Sequence, residues 1–242
     1  MKKKKIAGIS LLAVGLVICI FAGYKIFVIN REYKASITFY SEQEEKFVSK
    51  EYIPAEKREK LKIDFSELIK TNEDICGWIS IPSIDISYPV LQGENNDTYL
   101  RHLPDGKYNI AGSIFVDERC KNDFTSPVTI IYGHYMNNGT MFGRLNRFLD
   151  SSFMRANDTF EIYTDNEIIT AHIITCFETK NSSPIYKLPD GELNEYISCL
   201  TEESNADFSE FDSEKMNLII LSTCSHSFKS ARTVVVASKD IQ

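Results

Sequence analysis

Two apolar segments of the sequence end in side chains that can perform covalent catalysis. Residues 217–224 end in the thiol of Cys224, and residues 128–134 end in the imidazole of His134. A free cysteine has a pKa near about 8.5, so a neighbouring imidazole or cation must favour the thiolate before the sulfur attacks a carbonyl at neutral pH. Cys224 is therefore a candidate nucleophile and His134 a candidate acid–base partner, with a buried core thiol as the alternative for Cys224.

Two other residues near Cys224 bear on its activation. His226 follows Cys224 by two residues and competes with His134 for the acid–base role, although residues 225–230 are typical of a loop. Arg232 opens the next apolar run, where an arginine either extends towards solvent or holds its charge near a site. Beside the thiol, its guanidinium would be able to bind a substrate carbonyl or a developing oxyanion.

The composition excludes several classes of protein. With 43% hydrophobic and 25% charged residues, the 242-residue chain is typical of a globular protein rather than a disordered one. The net charge of −7 conceals an asymmetry, because residues 1–29 contain five lysines and no acid, which leaves 22 basic against 34 acidic residues in the remainder. Affinity for nucleic acid depends on clustered Lys and Arg, so we expect no nucleic-acid binding.

The N-terminus predicts a membrane anchor. Lysines at positions 2–5 precede an uncharged stretch, 6–24, and apolar residues continue over 26–29, which is long enough to span a bilayer. A cleaved signal peptide is the alternative, but its apolar core is usually about 7–15 residues and a small-residue cleavage site follows it. Basic residues before the span favour a cytoplasmic N-terminus. We therefore interpret residues 1–29 as a single-pass anchor in the cell membrane and expect an extracellular body.

The segment after the anchor predicts a helical stalk. Residues 30–75 are rich in charged and helix-favouring residues, with Pro54 as the one break. Within them, residues 64–69 have the pattern of a short amphipathic helix.

Residues 76–242 predict a mainly β domain. Eight short β-rich runs are bounded by turn residues, at 78–81, 84–90, 112–116, 128–132, 159–163, 168–177, 218–221 and 233–237. Helical segments at 141–149 and 192–200 interrupt them, the second within a long polar insertion, 179–215. One closed barrel or sandwich with appended helices accounts for this pattern.

The cysteines do not predict a metal site. Six cysteines occur, at positions 19, 76, 120, 176, 199 and 224, with no C-x-x-C pair and no histidine cluster at zinc-ligand spacing. Export would permit disulfides, but five cysteines outside the anchor leave at least one unpaired within the chain. The disulfide status of the others stays open.

The segment that ends at Cys224 resembles a signature of the sortase family. It reads Ile-Leu-Ser-Thr-Cys, similar to the family's TLxTC strand apart from Ile at its first position, and Arg232 follows as the family's arginine does. Residues 131–134, Ile-Tyr-Gly-His, resemble the family's histidine strand, which favours His134 over His226.

The resemblance covers about residues 60–240 and is strongest for class B. The helical lead-in and the helix-bearing insertion before the cysteine strand favour class B over class A. Neither the lid segment nor the second anchor expected of class C is evident. The resemblance implies an eight-stranded sortase-like β-barrel with an N-terminal helical lead-in.

The resemblance also implies an activity. Sortases are membrane-anchored cysteine transpeptidases of Gram-positive bacteria that use no metal or organic cofactor. Cys224 would attack the carbonyl of a Thr within a sorting signal near the C-terminus of an exported protein and form a thioacyl-enzyme. His134 would act as general acid and base, and Arg232 would bind the substrate or the oxyanion. The expected partners are exported proteins that carry such a signal and an amine acceptor, typically a peptidoglycan precursor.

Three further residues are candidates for substrate binding. Tyr186 lies in the insertion that class B enzymes use as a wall of the substrate groove, and Ser222 and Thr223 precede the nucleophile. A surface tyrosine and ordinary strand-end hydroxyls are the alternatives. No Asp or Asn is identified that completes a catalytic triad, and neither the sorting pentapeptide nor the acceptor is identified from the sequence.

Other functions fit the sequence less well. An L,D-transpeptidase is expected to have His and Gly immediately before its cysteine, where this chain has Ser222 and Thr223, and papain-like peptidases place the cysteine before the histidine. A membrane-tethered, non-catalytic β-barrel binding module is the remaining alternative, with Cys224 as a core residue. Selective thiol labelling of Cys224 distinguishes an exposed nucleophile from a buried one.

Overall fold

A computed structural model describes residues 2–53, 58–189, 193–208 and 217–239, with the backbone alone at 2–11 and 58. The α-helices of this part are α1 (Lys2–Phe47), α2 (Phe65–Thr71), α3 (Ser151–Ala156) and α4 (Asn194–Ser204). Its strands are β1 (Val48–Ile53), β2 (Arg58–Ile63), β3 (Ile75–Ile81), β4 (Ile86–Leu91), β5 (Ile114–Val116), β6 (Val128–Tyr132), β7 (Thr159–Tyr163), β8 (Ile168–Lys180), β9 (Leu218–Cys224) and β10 (Ala231–Lys239). Short 3₁₀ helices lie at Pro82–Ile84, Leu145–Leu149 and Pro184–Tyr186.

Helix α1 contains two halves with different surroundings. It is long and apolar enough to cross a membrane by length and composition. In its first half, apolar side chains such as Val17 and Phe21 are 65% and 61% exposed, whereas Tyr40 and Phe47 in its second half are 5% and 3% exposed against the rest of the chain. The second half therefore belongs to the folded domain, and the first half requires another apolar environment.

The prediction of a helical stalk up to α2 is wrong for residues 48–53 and 58–63. Strands β1 and β2 pair in antiparallel orientation from Val48↔Ile63 to Ile53↔Arg58, and residues 54–57, which include Pro54, lie outside the described residues. The apolar residues Val48, Leu61 and Ile63 pack against a core cluster that includes Trp78. Tertiary packing at these positions outweighs the helix propensity of the Lys and Glu residues between them.

The predicted amphipathic helix 64–69 corresponds to α2. Asp64 caps its N-terminus, because the Asp64 Oδ1 atom accepts a hydrogen bond from the Glu67 backbone N–H at 3.1 Å. Phe65 and Leu68 form its buried face. A capping aspartate directly before an apolar pair is a strong signal for a helix start, which explains why the sequence sufficed here.

Eight strands form the predicted closed barrel, in the order β10–β8–β7–β3–β4–β5–β6–β9. All eight predicted β-rich runs fall on these strands. Neighbouring strands are antiparallel except β4 with β5 and β6 with β9, which are parallel. The boundaries differ, since β9 continues through Cys224 and the first residue of the run 84–90 lies in a 3₁₀ helix.

Strand alternation divides β9 between two cores. Ile219 and Leu221 point into the barrel, whereas Leu218 and Ile220 point outwards and pack against Leu200 of α4. The insertion that carries α4 therefore covers the outer face of the barrel at β6, β9 and β10. The predicted helix at 192–200 is α4, and the predicted helix at 141–149 is the 3₁₀ helix Leu145–Leu149, followed by α3.

Candidate active site

The parallel pairing of β6 and β9 brings two predicted site residues to one end of the barrel. Tyr132 is paired with Ser222, and the Gly133 backbone N–H donates to the Ser222 carbonyl at 3.2 Å. Because both strands run in the same direction, His134 and Cys224 follow this pair by two residues each. Alternation then places both side chains on the outer face, as for Tyr132 and Ser222.

Strand β10 brings the third residue. Its antiparallel pairing with β9 sets Arg232 directly opposite Cys224. The three strand ends border a cleft of about 280 Å³, lined by Asn96, Leu100, Phe115, Tyr132, Gly133, His134, Ser222, Thr223, Cys224 and Arg232. Cys224, His134 and Arg232 are each half-buried there. The structure thus brings together the three residues predicted to perform the chemistry.

Gly133 is required by the packing beside the cleft. A Cβ atom at this position would lie 2.7 Å from ring atoms of Phe142. The Phe142 backbone N–H donates to the His134 carbonyl at 3.1 Å, so the chain after β6 folds back over the glycine. A side chain at Gly133 would displace this segment and His134 with it.

His134 has a defined hydrogen-bond partner. Its Nε2 atom lies 2.6 Å from the Leu100 backbone carbonyl oxygen. A carbonyl only accepts hydrogen bonds, so Nε2 carries the proton and donates it. In the neutral ring, Nδ1 is then the nitrogen that is able to accept a proton. This partner is a main-chain atom, which is why no triad residue was identifiable from side-chain types.

The surroundings favour the neutral form of His134. Burial in the cleft lowers the pKa of His134 below its ordinary value, and the positive charges of Arg101 and Arg232 act in the same direction. The hydrogen bond to the Leu100 carbonyl opposes this shift without reversing it. The imidazole is therefore available as a base at neutral pH.

Tyr186 and Ser222, both predicted for substrate binding, lie in contact. Their hydroxyl oxygens are 2.8 Å apart. The Tyr186 ring also stacks on Tyr132, with ring centroids 6.5 Å apart and the planes 25° from parallel. The 3₁₀ helix Pro184–Tyr186 thus carries Tyr186 from the insertion to the edge of the cleft. Burial raises the pKa of Tyr186, so its hydroxyl keeps its proton.

The Thr223 side chain does not share this arrangement. Thr223 alternates to the inner face of β9, where it is opposite Thr233 on β10. Its hydroxyl is buried and has no hydrogen-bond partner among the described residues. Thr223 lines the cleft, where a substrate on the outer face would meet its backbone, and its role in substrate binding stays a prediction.

His226 occupies the position expected of a loop residue. It is exposed in the segment between β9 and β10, and its ring meets Tyr135 edge-on at a centroid distance of 5.1 Å. The described lining of the cleft does not include it. The structure therefore favours His134 over His226, as the sequence comparison with the sortase signature did.

A buried ionic network behind Tyr132 and Tyr186 was missed from the sequence. The Asp117 carboxylate, fully buried, accepts hydrogen bonds from Arg119 Nε and Nη2, both at 2.7 Å, and from the Tyr132 hydroxyl at 3.0 Å. Arg119 Nη1 also donates to the Tyr186 carbonyl at 3.1 Å. The sequence does contain a pattern that could have identified this carboxylate. Asp117 comes directly after the apolar strand β5, much as His134 comes two residues after β6.

The charge of Asp117 is stabilised by its partners. Burial of the carboxyl group acts to raise its pKa, but hydrogen bonds from Arg119 and Tyr132 and the Arg119 charge outweigh burial and lower the pKa. The pair therefore stays ionised and connects the two tyrosines that border the cleft.

All six cysteines are free thiols in this structure. Burial raises the pKa of Cys76 and of Cys176 to about 12. Cys120 is buried as well. Cys120 belongs to the core and Cys76 and Cys176 pack against it, whereas Cys224 borders an open cleft.

Comparison with known proteins identifies the family. The sortase domain model matches residues 79–240. The chain belongs to the sortase family. A curated sortase B from Listeria monocytogenes is 32% identical over 229 residues, which cover 93% of this chain and 92% of the relative.

Solved class B sortases have the same fold as this sortase. Sortase B from B. anthracis superposes with a TM-score of 0.73 at 26% identity, over 88% of this chain and all of that chain. The Staphylococcus aureus sortase B–substrate complex superposes with a TM-score of 0.66 at 29% identity, over 73% of this chain and 84% of that chain. Recognition as a class B member of a family of cysteine transpeptidases is therefore confirmed, as is the eight-stranded barrel.

Proposed function

We propose that this sortase is anchored in the cell membrane, cleaves a C-terminal sorting signal after Thr, and transfers the protein to a cell-wall amine. The observation that supports this most is the position of Cys224, whose side chain lies on the outer face beside His134 and Arg232. A core thiol on β9 would instead be buried in one of the two cores, with Ile219 and Leu221 or with Leu218 and Ile220, whereas Cys224 lines an open cleft. A non-catalytic binding module gives no reason for this alignment.

The first half-reaction forms a thioester. Neutral His134 takes the proton of the Cys224 thiol, and the sulfur attacks the Thr carbonyl carbon to give a tetrahedral oxyanion. The Arg232 guanidinium, opposite Cys224 on β10, donates hydrogen bonds to that oxygen. The C–N bond then breaks, the leaving amine takes the proton held by His134, and the acyl group stays on sulfur.

The second half-reaction resolves the thioester. An incoming amine attacks the same carbonyl carbon while His134 accepts a proton from its nitrogen. The C–S bond breaks, and the thiolate of Cys224 recovers the proton from His134. The product is a new amide between the Thr carboxyl and the acceptor, and the enzyme returns to its starting state without a cofactor.

The sorting signal would bind along the outer face of the barrel. Tyr186 and Ser222 supply one wall of the groove, and their paired hydroxyls present polar groups to a peptide backbone. The S. aureus neighbour was solved as a complex with a substrate, which supports substrate binding by this sortase. Thr223 contributes its backbone next to the reacting carbonyl.

The anchor would hold the enzyme where exported proteins emerge. We assign residues 1–29 to a cytoplasmic basic tip and a membrane span, 30–75 to the lead-in and 76–242 to the extracellular catalytic barrel. Lysines at positions 2–5 and the acidic body support this orientation. The burial of Tyr40 and Phe47, on the same helix as the span, supports a catalytic domain close to the membrane surface.

Intact-mass spectrometry tests the activity directly. The full chain in detergent micelles is incubated with a panel of Thr-containing sorting-signal peptides, with and without oligoglycine or diaminopimelate as the amine. We expect a thioacyl adduct on Cys224, a product that ends in Thr without amine, and a ligated product with amine. Cys224→Ala should abolish all three, whereas Cys199→Ala, which removes a half-buried thiol on α4, should retain them.

Alkylation separates the proposed enzyme from the binding module. Iodoacetamide should label Cys224 in the folded chain before the half-buried Cys76, whose pKa is raised, and before the buried Cys120. A Cys224 that resists alkylation, together with no cleavage of any peptide, would contradict the transpeptidase and favour the non-catalytic barrel. Alkylation with hydrolysis but no ligation would indicate a peptidase.

A further inference from the structure

Helix α1 docks on the segment that connects β4 to β5. The Asn109 side-chain amide donates to the Glu32 backbone carbonyl at 3.0 Å, and the Ile110 backbone N–H donates to the Glu32 carboxylate at 3.2 Å. Two turns further along α1, the Tyr40 hydroxyl donates to the Gly112 carbonyl at 2.7 Å and lies 3.3 Å from the Ser113 hydroxyl. The end of the helix that emerges from the proposed membrane span therefore holds this connection at two points.

Gly112 transmits this docking to the backbone near the cleft. It has a φ of +57°, in the left-handed region. A Cβ atom on Gly112 would lie 2.5 Å from the Leu100 carbonyl oxygen and 2.7 Å from the Tyr99 carbonyl oxygen. The glycine thus packs directly against the Leu100 carbonyl, and this close approach excludes any side chain. The Ser113 N–H, which donates to the Tyr99 carbonyl at 3.0 Å, fixes the same contact.

The Leu100 carbonyl is the atom that holds His134. It accepts from His134 Nε2 at 2.6 Å. A continuous set of contacts therefore runs from the Tyr40 hydroxyl to the Gly112 carbonyl, from Gly112 to the Leu100 carbonyl, and from there to the imidazole. Every contact after Tyr40 involves backbone atoms, so a shift at one end is passed on without side-chain rearrangement.

The surroundings of Tyr40 hold its hydroxyl in place as a hydrogen-bond donor to the Gly112 carbonyl. Its side chain is 5% exposed and meets Tyr88 edge-on, with ring centroids 5.0 Å apart. Burial raises the pKa of its hydroxyl, so the proton needed for the hydrogen bond is always present. A phenylalanine would fill the same space, so the hydroxyl serves the contact with Gly112 rather than packing.

We propose that Tyr40 is a positioning residue for catalysis, acting through Gly112 and the Leu100 carbonyl to fix the ring of His134. The docked half of α1, supported by Glu32, is then part of the active-site scaffold and not only a tether. This inference rests on the proposed function of His134 as the catalytic acid and base. The geometry of the contact itself is independent of that role.

Proton NMR of the histidine rings tests the coupling. The full chain, labelled with ¹⁵N-histidine and held in detergent micelles, contains four histidines, and the Nε2–H signal of His134 is assigned by its loss in His134→Gln. Tyr40→Phe removes only the hydroxyl. Tyr33→Phe is the matched control, because Tyr33 lies on the same helix, is half-buried and packs against the same cluster.

The expected result combines a spectroscopic and a kinetic change. In Tyr40→Phe, exchange of the His134 Nε2–H with water should accelerate about tenfold. The kcat for a cleaved sorting peptide should fall about tenfold, and KM should stay within about twofold. A small misplacement of a catalytic group reduces the rate of reaction rather than substrate binding. Tyr33→Phe should change neither quantity. A folded Tyr40→Phe variant with unchanged exchange and kcat would overturn the proposal.

The experiment distinguishes failure of this proposal from failure of the proposed function and from misfolding of the Tyr40→Phe variant. If the wild-type chain cleaves no peptide, the proposed function fails, but the exchange rate of the His134 Nε2–H still tests the coupling. If Tyr40→Phe does not fold, Glu32→Ala removes the acceptor of the Ile110 N–H at the second docking point while the Tyr40 packing is kept. Faster Nε2–H exchange in Glu32→Ala supports the coupling, and unchanged exchange overturns it.

Discussion

Cys224 and Arg232 are direct cross-strand partners at the open end of β9 and β10. Paired residues of an antiparallel sheet project to the same face, with Cβ atoms about 4.5–5.5 Å apart. A carbonyl carbon attacked by the Cys224 sulfur therefore has its oxygen within reach of the guanidinium. The strand pairing, rather than any flexible loop, sets the distance between the proposed nucleophile and the proposed oxyanion donor.

Arg232→Ala should reduce kcat/KM for peptide cleavage by about 10²–10³-fold, the usual effect of removing one oxyanion donor. Arg232→Lys should recover only part of this loss, because a lysine keeps the charge but not the two-pronged donor geometry. Rates of thioacyl formation, measured by quenched-flow mass spectrometry, check both values. Arg155→Ala, at an exposed site on α3, is the control, and an Arg232→Ala variant within a few-fold of wild type would refute the role.

The hydroxyl contact between Tyr186 and Ser222 should govern substrate binding. Tyr186→Phe and Ser222→Ala each remove one side of a contact between oxygens 2.8 Å apart. Because the second change finds the hydrogen bond already lost, the double variant should be less affected than the two single effects combined, with a coupling of about 1 kcal/mol. The measurement is KM for a sorting peptide in all four proteins. Additive effects would show that the two hydroxyls act separately.

Much of the fold and of the site follows from patterns in the sequence. The strands β6 and β9 are continuous apolar runs that end two residues before His134 and at Cys224, and their short length and β-branched content favour a buried strand over a helix. The side chains at their ends indicated candidate chemistry, and the resemblance to the sortase signature implied the activity. The apolar runs do not predict that β6 and β9 pair in parallel. This pairing brings the ends of the two strands together.

The features that were missed depend on contacts distant in sequence. The antiparallel pair of β1 and β2 is rich in Lys and Glu, so local propensity favours helix, and its stability comes from Leu61 and Ile63 packing on Trp78. The partner of His134 is the Leu100 carbonyl, and a backbone atom leaves no trace in residue type. Tertiary structure alone reveals both.

The pH dependence of kcat/KM should reflect the lowered pKa of His134. The imidazole must be neutral to accept the thiol proton, and a pKa below the ordinary value near about 6.5 keeps it neutral as the pH falls through that range. Activity should therefore persist below about pH 6.5 and be lost only at lower pH. The acid limb of kcat/KM against pH, together with a ¹⁵N-histidine titration, measures this.

Removal of the positive charge of Arg101 should shift the acid limb of the kcat/KM profile to higher pH. Arg101 lowers the pKa of His134, so Arg101→Gln should raise that pKa and shift the acid limb to higher pH. Lys107→Gln, on the same connection between β4 and β5 but paired with Asp105 at 2.8 Å, should leave the limb in place. A limb that stays fixed or moves down in Arg101→Gln would show that the Arg101 charge is not felt at the imidazole.

The buried carboxylate of Asp117 should stabilise the fold and the groove together. Asp117→Asn removes the charge that holds Arg119 and Tyr132. Loss of one partner of a buried pair costs about 3–5 kcal/mol, and we expect roughly 1–3 kcal/mol here because solvent screens the Arg119 side chain. That side chain is 45% exposed. The fluorescence of Trp78, the one tryptophan of the chain and fully buried, follows urea unfolding.

The sign of the pH effect gives this prediction a second check. The folded-state pKa of Asp117 lies below its ordinary value, so its contribution to stability is present above the ordinary value and is lost as the pH falls towards the folded-state pKa. Wild type and Asp117→Asn should therefore converge in stability under acid conditions. Asp105→Asn, which removes the ion pair with Lys107, should have the same free energy of unfolding as wild type at every pH. If the difference in free energy of unfolding between wild type and Asp117→Asn is constant with pH, the charge of Asp117 does not stabilise the fold.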